Sequence, residues 1–119
     1  MTIQKIQSVY TVVRDMDRMQ DFYAKGLGLA TRFRDGDAWC QFGVGSAGFA
    51  LSSAAEAAAG AQGSVLVFET DDLAGARAGI EHAGGRFLLQ RDMGTHGTVL
   101  TFSDPEDNLF QVFAKAPKP

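Results

Sequence analysis

The chain has 119 residues, of which 45% are hydrophobic and 21% charged, with a formal charge of −3 at pH 7. That length suits one domain, or two half-size modules sharing a core, and the composition is that of a soluble globular protein. The 11 basic residues are scattered, which disfavours nucleic acid and anionic membranes as partners, since both call for a basic stripe.

The opening Met1-Thr2-Ile3-Gln4-Lys5-Ile6-Gln7 has no long apolar core. Neither a signal peptide nor an anchor is expected there, and a cytoplasmic location follows as the expectation. Ile6 to Val13 is β-branched and aromatic, which predicts a strand. Asp15 follows as a helix N-cap, and Met16, Met19, Phe22, Tyr23 and Leu27 recur at helical spacing. Gly26 and Gly28 are expected to end that helix. Strands are then predicted over Leu29 to Arg34, Ala38 to Val44 and Phe49 to Ser53, with turns at Asp35-Gly36 and Gly45-Ser46-Ala47-Gly48. Cys40 is the only cysteine, so no intrachain disulfide can form. With no His or Lys near it in sequence, it reads as a buried strand thiol rather than a nucleophile.

The same order returns in the second half. Ser64 to Thr70 is a predicted strand, and Asp71 or Asp72 caps a helix carrying Leu73, Ala76, Ile80 and Ala83 on one face. Gly84-Gly85 ends that helix, and strands follow at Arg86 to Gln90, Thr98 to Ser103 and Leu109 to Phe113. Val9 to Met16 aligns with Leu66 to Leu73 at a constant offset of 57 residues. A repeat of this size means two copies of one supersecondary unit, neither able to bury its sheet alone. The fold expected is α+β: two tandem βαβββ modules, at about 1–54 and 63–114, in one domain spanning 1–119. An Ala-rich linker over 55–62 joins them, and curved mixed sheets enclose a groove.

Val13-Arg14-Asp15-Met16 leading into Phe22-Tyr23 and Gly26-Leu27-Gly28-Leu29 resembles the vicinal oxygen chelate superfamily. That superfamily includes glyoxalases, bleomycin-resistance proteins, fosfomycin-resistance enzymes and extradiol dioxygenases. Phe68-Glu69-Thr70-Asp71-Asp72-Leu73 and Asp104-Pro105-Glu106-Asp107-Asn108-Leu109-Phe110-Gln111 extend the likeness over essentially the whole chain. Asp107 stands where the family usually has glycine; Asp tolerates left-handed backbone, so the turn is expected to survive.

The resemblance implies four metal-ligand positions, which fall at Ser8, Ala50, Val65 and Gln111, with Ser52 as the alternative to Ala50. Divalent ions of the zinc, iron or manganese type call for imidazole, carboxylate or thiolate donors. Ala50 and Val65 have no donor atom, and Ser8 and Gln111 offer only neutral ones. No metal and no other cofactor is therefore expected. Glu69 shares a strand face with Val65 but lies roughly 13 Å further along, too far to substitute. His82 reads as a surface residue, and His96, in Gly94-Thr95-His96-Gly97, as a candidate for the rim of a pocket. Asp104 and Glu106 read as solvent-exposed turn carboxylates, and no serine triad or dinucleotide loop is present.

Strand alternation places Ser8, Tyr10 and Val12 on one face, Trp39 and Gln41 on the next, and Cys40 and Phe42 towards the helix. Val65, Val67 and Glu69, then Gln111 and Phe113, line the matching face of the second half. The expected ligand-binding set is Ser8, Tyr10, Trp39, Gln41, Ala50, Val65, Val67, Glu69, His96, Gln111 and Phe113, with no catalytic residue named. This is a mostly apolar groove with an aromatic wall and a few polar points, the usual make-up of a small-molecule site. The leading expectation is a metal-free binding protein for a partly aromatic small molecule, like the bleomycin-resistance members. The alternatives are a metal-dependent glyoxalase-type lyase, isomerase or dioxygenase, and a scaffold whose groove is packed shut. The bare apolar faces and the family's habit both lead to the expectation of a homodimer.

Overall fold

The computed structural model describes residues 7–59, 61–63 and 65–118. Residues 1–6, including the expected strand start at Ile6, lie outside the described residues, as do Gly60 of the linker, Ser64 and Pro119. The first half runs β1 (Val9–Val12), α1 (Met16–Asp21) continuing into a π-helical turn (Phe22–Gly26), β2 (Ala30–Asp35), β3 (Trp39–Val44) and β4 (Ala47–Ser52). The second runs β5 (Leu66–Glu69), α2 (Leu73–His82), β6 (Arg86–Asp92), a 3-10 turn (Gly94–His96), β7 (Thr98–Ser103) and β8 (Leu109–Ala114). Both halves are βαβββ units. Each forms a four-stranded sheet, ordered β1-β4-β3-β2 and β5-β8-β7-β6. The first strand of each unit pairs in parallel with its last. Parallel pairing requires a long crossover, which the helix supplies.

The repeat is visible in the register. Val9 faces Phe49 and Leu66 faces Phe110, so the offset of 57 at the first strands becomes 61 at the last. The added residues sit in the longer β6–β7 and β7–β8 connections. Both helices start on an aspartate whose carboxylate accepts a free N–H of the first turn. Asp15 takes Arg18 N at 3.1 Å, and Asp72, not Asp71, takes Gly75 N at 3.0 Å.

The glycine pairs after the helices divide two tasks. Gly28 (φ 70°) and Gly84 (φ 105°) turn the chain in left-handed backbone. Gly26 and Gly85 instead make room: a Cβ on Gly26 would sit 2.8 Å from Ala83 Cβ, and one on Gly85 2.5 Å from Ile80 Cγ2. The helical segments of the two modules therefore approach closely.

The modules pack back to back. Met16, Met19, Phe22 and Tyr23 from the first helical segment join Cys40, Phe42, Phe49 and Leu51 from its sheet. Ile80, Leu100, Phe102, Phe110 and Val112 come from the second module into the same core. Rings meet across the boundary, Phe49 with Phe68 at 5.8 Å and Phe22 with Phe110 at 6.2 Å. Each fully buried side chain of this size contributes about 1.5–3 kcal/mol of transfer free energy.

Asp104 and Glu106 are not exposed, contrary to expectation: Asp104 is 3% accessible and the Glu106 side chain 6%. The β7–β8 turn folds back onto the first module. Asp104 accepts the N–H groups of Glu106 and Asn108 at 2.8 and 2.9 Å and the Tyr23 hydroxyl at 2.8 Å. Glu106 accepts the Arg14 and Asp15 N–H groups at 2.7 and 2.8 Å, ahead of α1. Asp107 holds the left-handed turn with φ 66°. Among the described residues, no helix is long and apolar enough to cross a membrane.

Candidate ligand-binding site

Because the helix-side faces carry the large aromatics and bury one another, the opposite face of each sheet points away from the common core. The two sheets are not closed on each other, and each carries its own recess.

The first half-site, about 480 Å³, lies on the sheet of the first module. Ala47 and Gly48 are the small residues of its lining. Gly43 and Gly48 are cross-strand partners, and Ala50 follows on the same face between Tyr10 and Gln41. Ser52, further along β4, is fully buried, as is Ala50. The walls are Trp39, Gln41, Phe33 and Arg32, with Ser8 and Ser46 at the edge. Trp39 Nε1 donates to Gln41 Oε1 at 2.9 Å, which fixes both side chains. Tyr10 packs edge-on against Trp39 at 5.4 Å, while its hydroxyl accepts Ala58 N at 3.0 Å. Ser8, Tyr10, Trp39, Gln41 and Ala50 thus come together, with Cys40 and Phe42 turned to the core as expected.

Arg32 and Phe33 were missed by strand alternation, which sends consecutive residues to opposite faces. The pairing of β2 with β3 slips between Thr31 and Phe33, so Phe33 faces Gln41 and Arg32 is the extra residue of a bulge. Bulges re-aim side chains in this way. No feature of the sequence near Arg32 marks the slip. The guanidinium lies flat over Gly43, where a Cβ would meet its Nε at 2.1 Å.

The second half-site, about 330 Å³, gathers Val67, Leu89, Arg91, Thr101, Gln111 and Phe113. Gln111 Nε2 donates to Thr101 Oγ1 at 3.0 Å. Val65 and Val67 are 49% and 58% exposed. Glu69 pairs with Lys115 at 3.9 Å at the far end of β5. His96 is exposed in the 3-10 turn and lines neither half-site, and His82 is exposed on α2. The second group of expected residues is therefore on a different face from the first.

The repeat register equates Ala50 with Gln111, and Ser52 with Phe113. Among the described residues, no three His, Cys, Asp or Glu side chains come close enough to hold a metal ion. Of the four positions that the sequence resemblance implied, Ala50 offers a methyl group and Val65 an isopropyl group, neither of which has a donor atom. The side chains present do not fit a divalent ion.

Residues 5–112 match the model of the Glyoxalase/Bleomycin resistance protein/Dioxygenase superfamily. The chain belongs to that superfamily. No curated protein sequence matches it. Among solved structures it is similar to a glyoxalase-related enzyme from Fulvimarina pelagi, at 18% identity and a TM-score of 0.79, covering 95% of this chain and 89% of that one. It is also similar to lactoylglutathione lyase from Agrobacterium tumefaciens, at 19% identity, a TM-score of 0.74 and 96% coverage of both chains. A third is a variant of the fosfomycin resistance protein FosX from Listeria monocytogenes, complexed with Mn(II) and a dihydroxypropylphosphonic acid. It shares 13% identity at a TM-score of 0.78 over 97% of this chain and 93% of that one. At these identities the likeness is one of fold.

Proposed function

We propose that this glyoxalase-superfamily chain is a metal-independent binding protein that holds a small, partly aromatic ligand against its first sheet. The observation that carries the reading is an open recess of about 480 Å³ beside a fixed Trp39–Gln41 pair. It is lined also by Arg32, Phe33, Ala47 and Gly48, on the sheet that carries Ala50 where a metal-dependent relative needs a donor. A packed-shut scaffold would fill this space with side chains. A recess of this size with an aromatic wall and a few polar groups is the ordinary form of a small-molecule site.

The competing reading, a metal-using lyase, isomerase or dioxygenase, draws on what some fold relatives are named for. One experiment separates the two. Purified protein is assayed for bound metals, then titrated with small aromatic compounds while Trp39 emission and thermal midpoint are followed, before and after chelation. Quenching that survives chelation, with substoichiometric metal, is the expected result. Stoichiometric zinc, nickel, iron or manganese, or ligand effects abolished by chelator, would overturn the proposal.

A further inference from the structure

We infer that the ligand of the first half-site carries a carboxylate on a flat unsaturated ring, bound by Arg32 with the ring between Phe33 and Trp39. This rests on the binding role proposed above. Three observations support it independently of the family.

The first is the placement of Arg32. The bulge in β2 turns Arg32 and Phe33, adjacent in sequence, to the same concave face. A guanidinium next to an aromatic ring is suited to an aryl carboxylate, since the planar fork takes two oxygens and the ring stacks.

The second is that room for Arg32 is built into the sheet. Any Cβ on Gly43 would lie 2.1 Å from Arg32 Nε and 2.7 Å from its Cζ. On the partner strand, a Cβ on Gly48 would lie 2.5 Å from Gln41 Nε2. The absence of a Cβ at this glycine pair leaves the space over the sheet that the Arg32 and Gln41 side chains occupy.

The third is charge. The nearby Arg34 is neutralised by Asp17 at 2.8 Å and Asp37 at 3.0 Å. Arg32 has no acidic partner among the described residues, and no Asp or Glu lines the recess. In a chain of net charge −3, the recess is a local cationic spot flanked by the hydroxyls of Ser8 and Ser46. An ammonium ligand would meet repulsion there, and a neutral one would leave the guanidinium unpaired.

The test compares 4-hydroxybenzoate with 4-hydroxybenzamide, a pair of nearly equal shape, by titration calorimetry and Trp39 emission at low and high salt. The wild-type protein is expected to bind the carboxylate about tenfold or more tightly than the amide, with the advantage shrinking as salt rises. Arg32→Gln should bind both equally, and Gly43→Ala, which displaces the guanidinium without removing it, should also narrow the gap. Unchanged circular dichroism in both variants keeps the comparison fair. Equal or tighter binding of the amide, with Trp39 still responding, would overturn this inference and leave the binding role standing. A carboxylate preference that persists in Arg32→Gln would overturn the assignment to Arg32. Silence of Trp39 to both compounds would sink both readings.

Discussion

At the scale of single residues, the buried Tyr23–Asp104 pair shows how one hydrogen bond joins the modules. Tyr23 is 1% exposed and its hydroxyl donates to Asp104 Oδ2 at 2.8 Å. Removing one partner of such a bond costs about 1–3 kcal/mol. Asp104 keeps Asn108 Nδ2 at 2.9 Å and two backbone donors, so Tyr23→Phe should fold, with a thermal midpoint lower by several degrees. Burial, then the nearby Asp104 charge, pushes the Tyr23 phenol above its ordinary value of 10.0. The sign follows from proton counting. Above about pH 10 the unfolded chain releases this proton while the folded one keeps it, so stability contributed at lower pH is lost as pH rises. The loss amounts to about 1.4 kcal/mol per pH unit from this group. Tyr23→Phe should therefore flatten the fall in thermal midpoint between pH 9 and 11. An unchanged slope would point to other groups, of which Cys40, also raised by burial, is the first to consider.

At the scale of elements, the contact between the helical segments depends on what is missing from Gly26. Its backbone lies against α2, with Gly79 contributing a second bare position near Gly26 O at 3.1 Å from a built Cβ. Gly26→Ala adds a methyl group 2.8 Å from Ala83 Cβ and should cost about 1–3 kcal/mol by overpacking. Ala83→Gly in the same chain should recover most of that loss, because it removes the clashing atom. Denaturant unfolding of the two single variants and the double variant gives the coupling directly. Additive losses would mean that the two sites do not touch in solution. Elements were legible from the sequence wherever their signal is local. Asp15 capped the expected helix, and the strands at Thr98–Ser103 and Leu109–Ala114 matched within a residue. The β2 bulge was not legible, because a register slip is a property of two paired strands and not of the residues in one.

At the scale of the molecule, the outward faces carry exposed apolar side chains. Val65, Val67, Leu89 and Leu109 of the second sheet are between 48% and 60% exposed, and Phe33 of the first is 55% exposed. The Cα radius of gyration is 14.9 Å, against about 13.5 Å expected for a compact chain of this length. The homodimer expected from the sequence would cover these faces with a second copy, which makes it testable. Sedimentation should then give twice the 12.7 kDa chain mass. Val67→Glu should shift the protein to monomer and lower its ligand affinity, since a charge in an apolar interface costs several kcal/mol unless paired. A monomeric wild-type protein that still binds ligand would remove the dimer from the account.

The sequence by itself determined the duplicated βαβββ unit, the helix caps, the inward and outward faces of most strands, and the lack of donor atoms at Ala50 and Val65. These follow from residue identity and from periods of 2 and 3.6, which are local quantities. The tertiary structure decided what depends on how surfaces meet. It set the helix faces of the two modules against each other, which separated the expected groove into two halves. It buried Asp104 and Glu106 in a joint between modules, because their backbone and side-chain partners lie some 80 to 90 residues away in sequence. And it brought Arg32 over Gly43, a position that arises only when one strand slips by a residue against its neighbour.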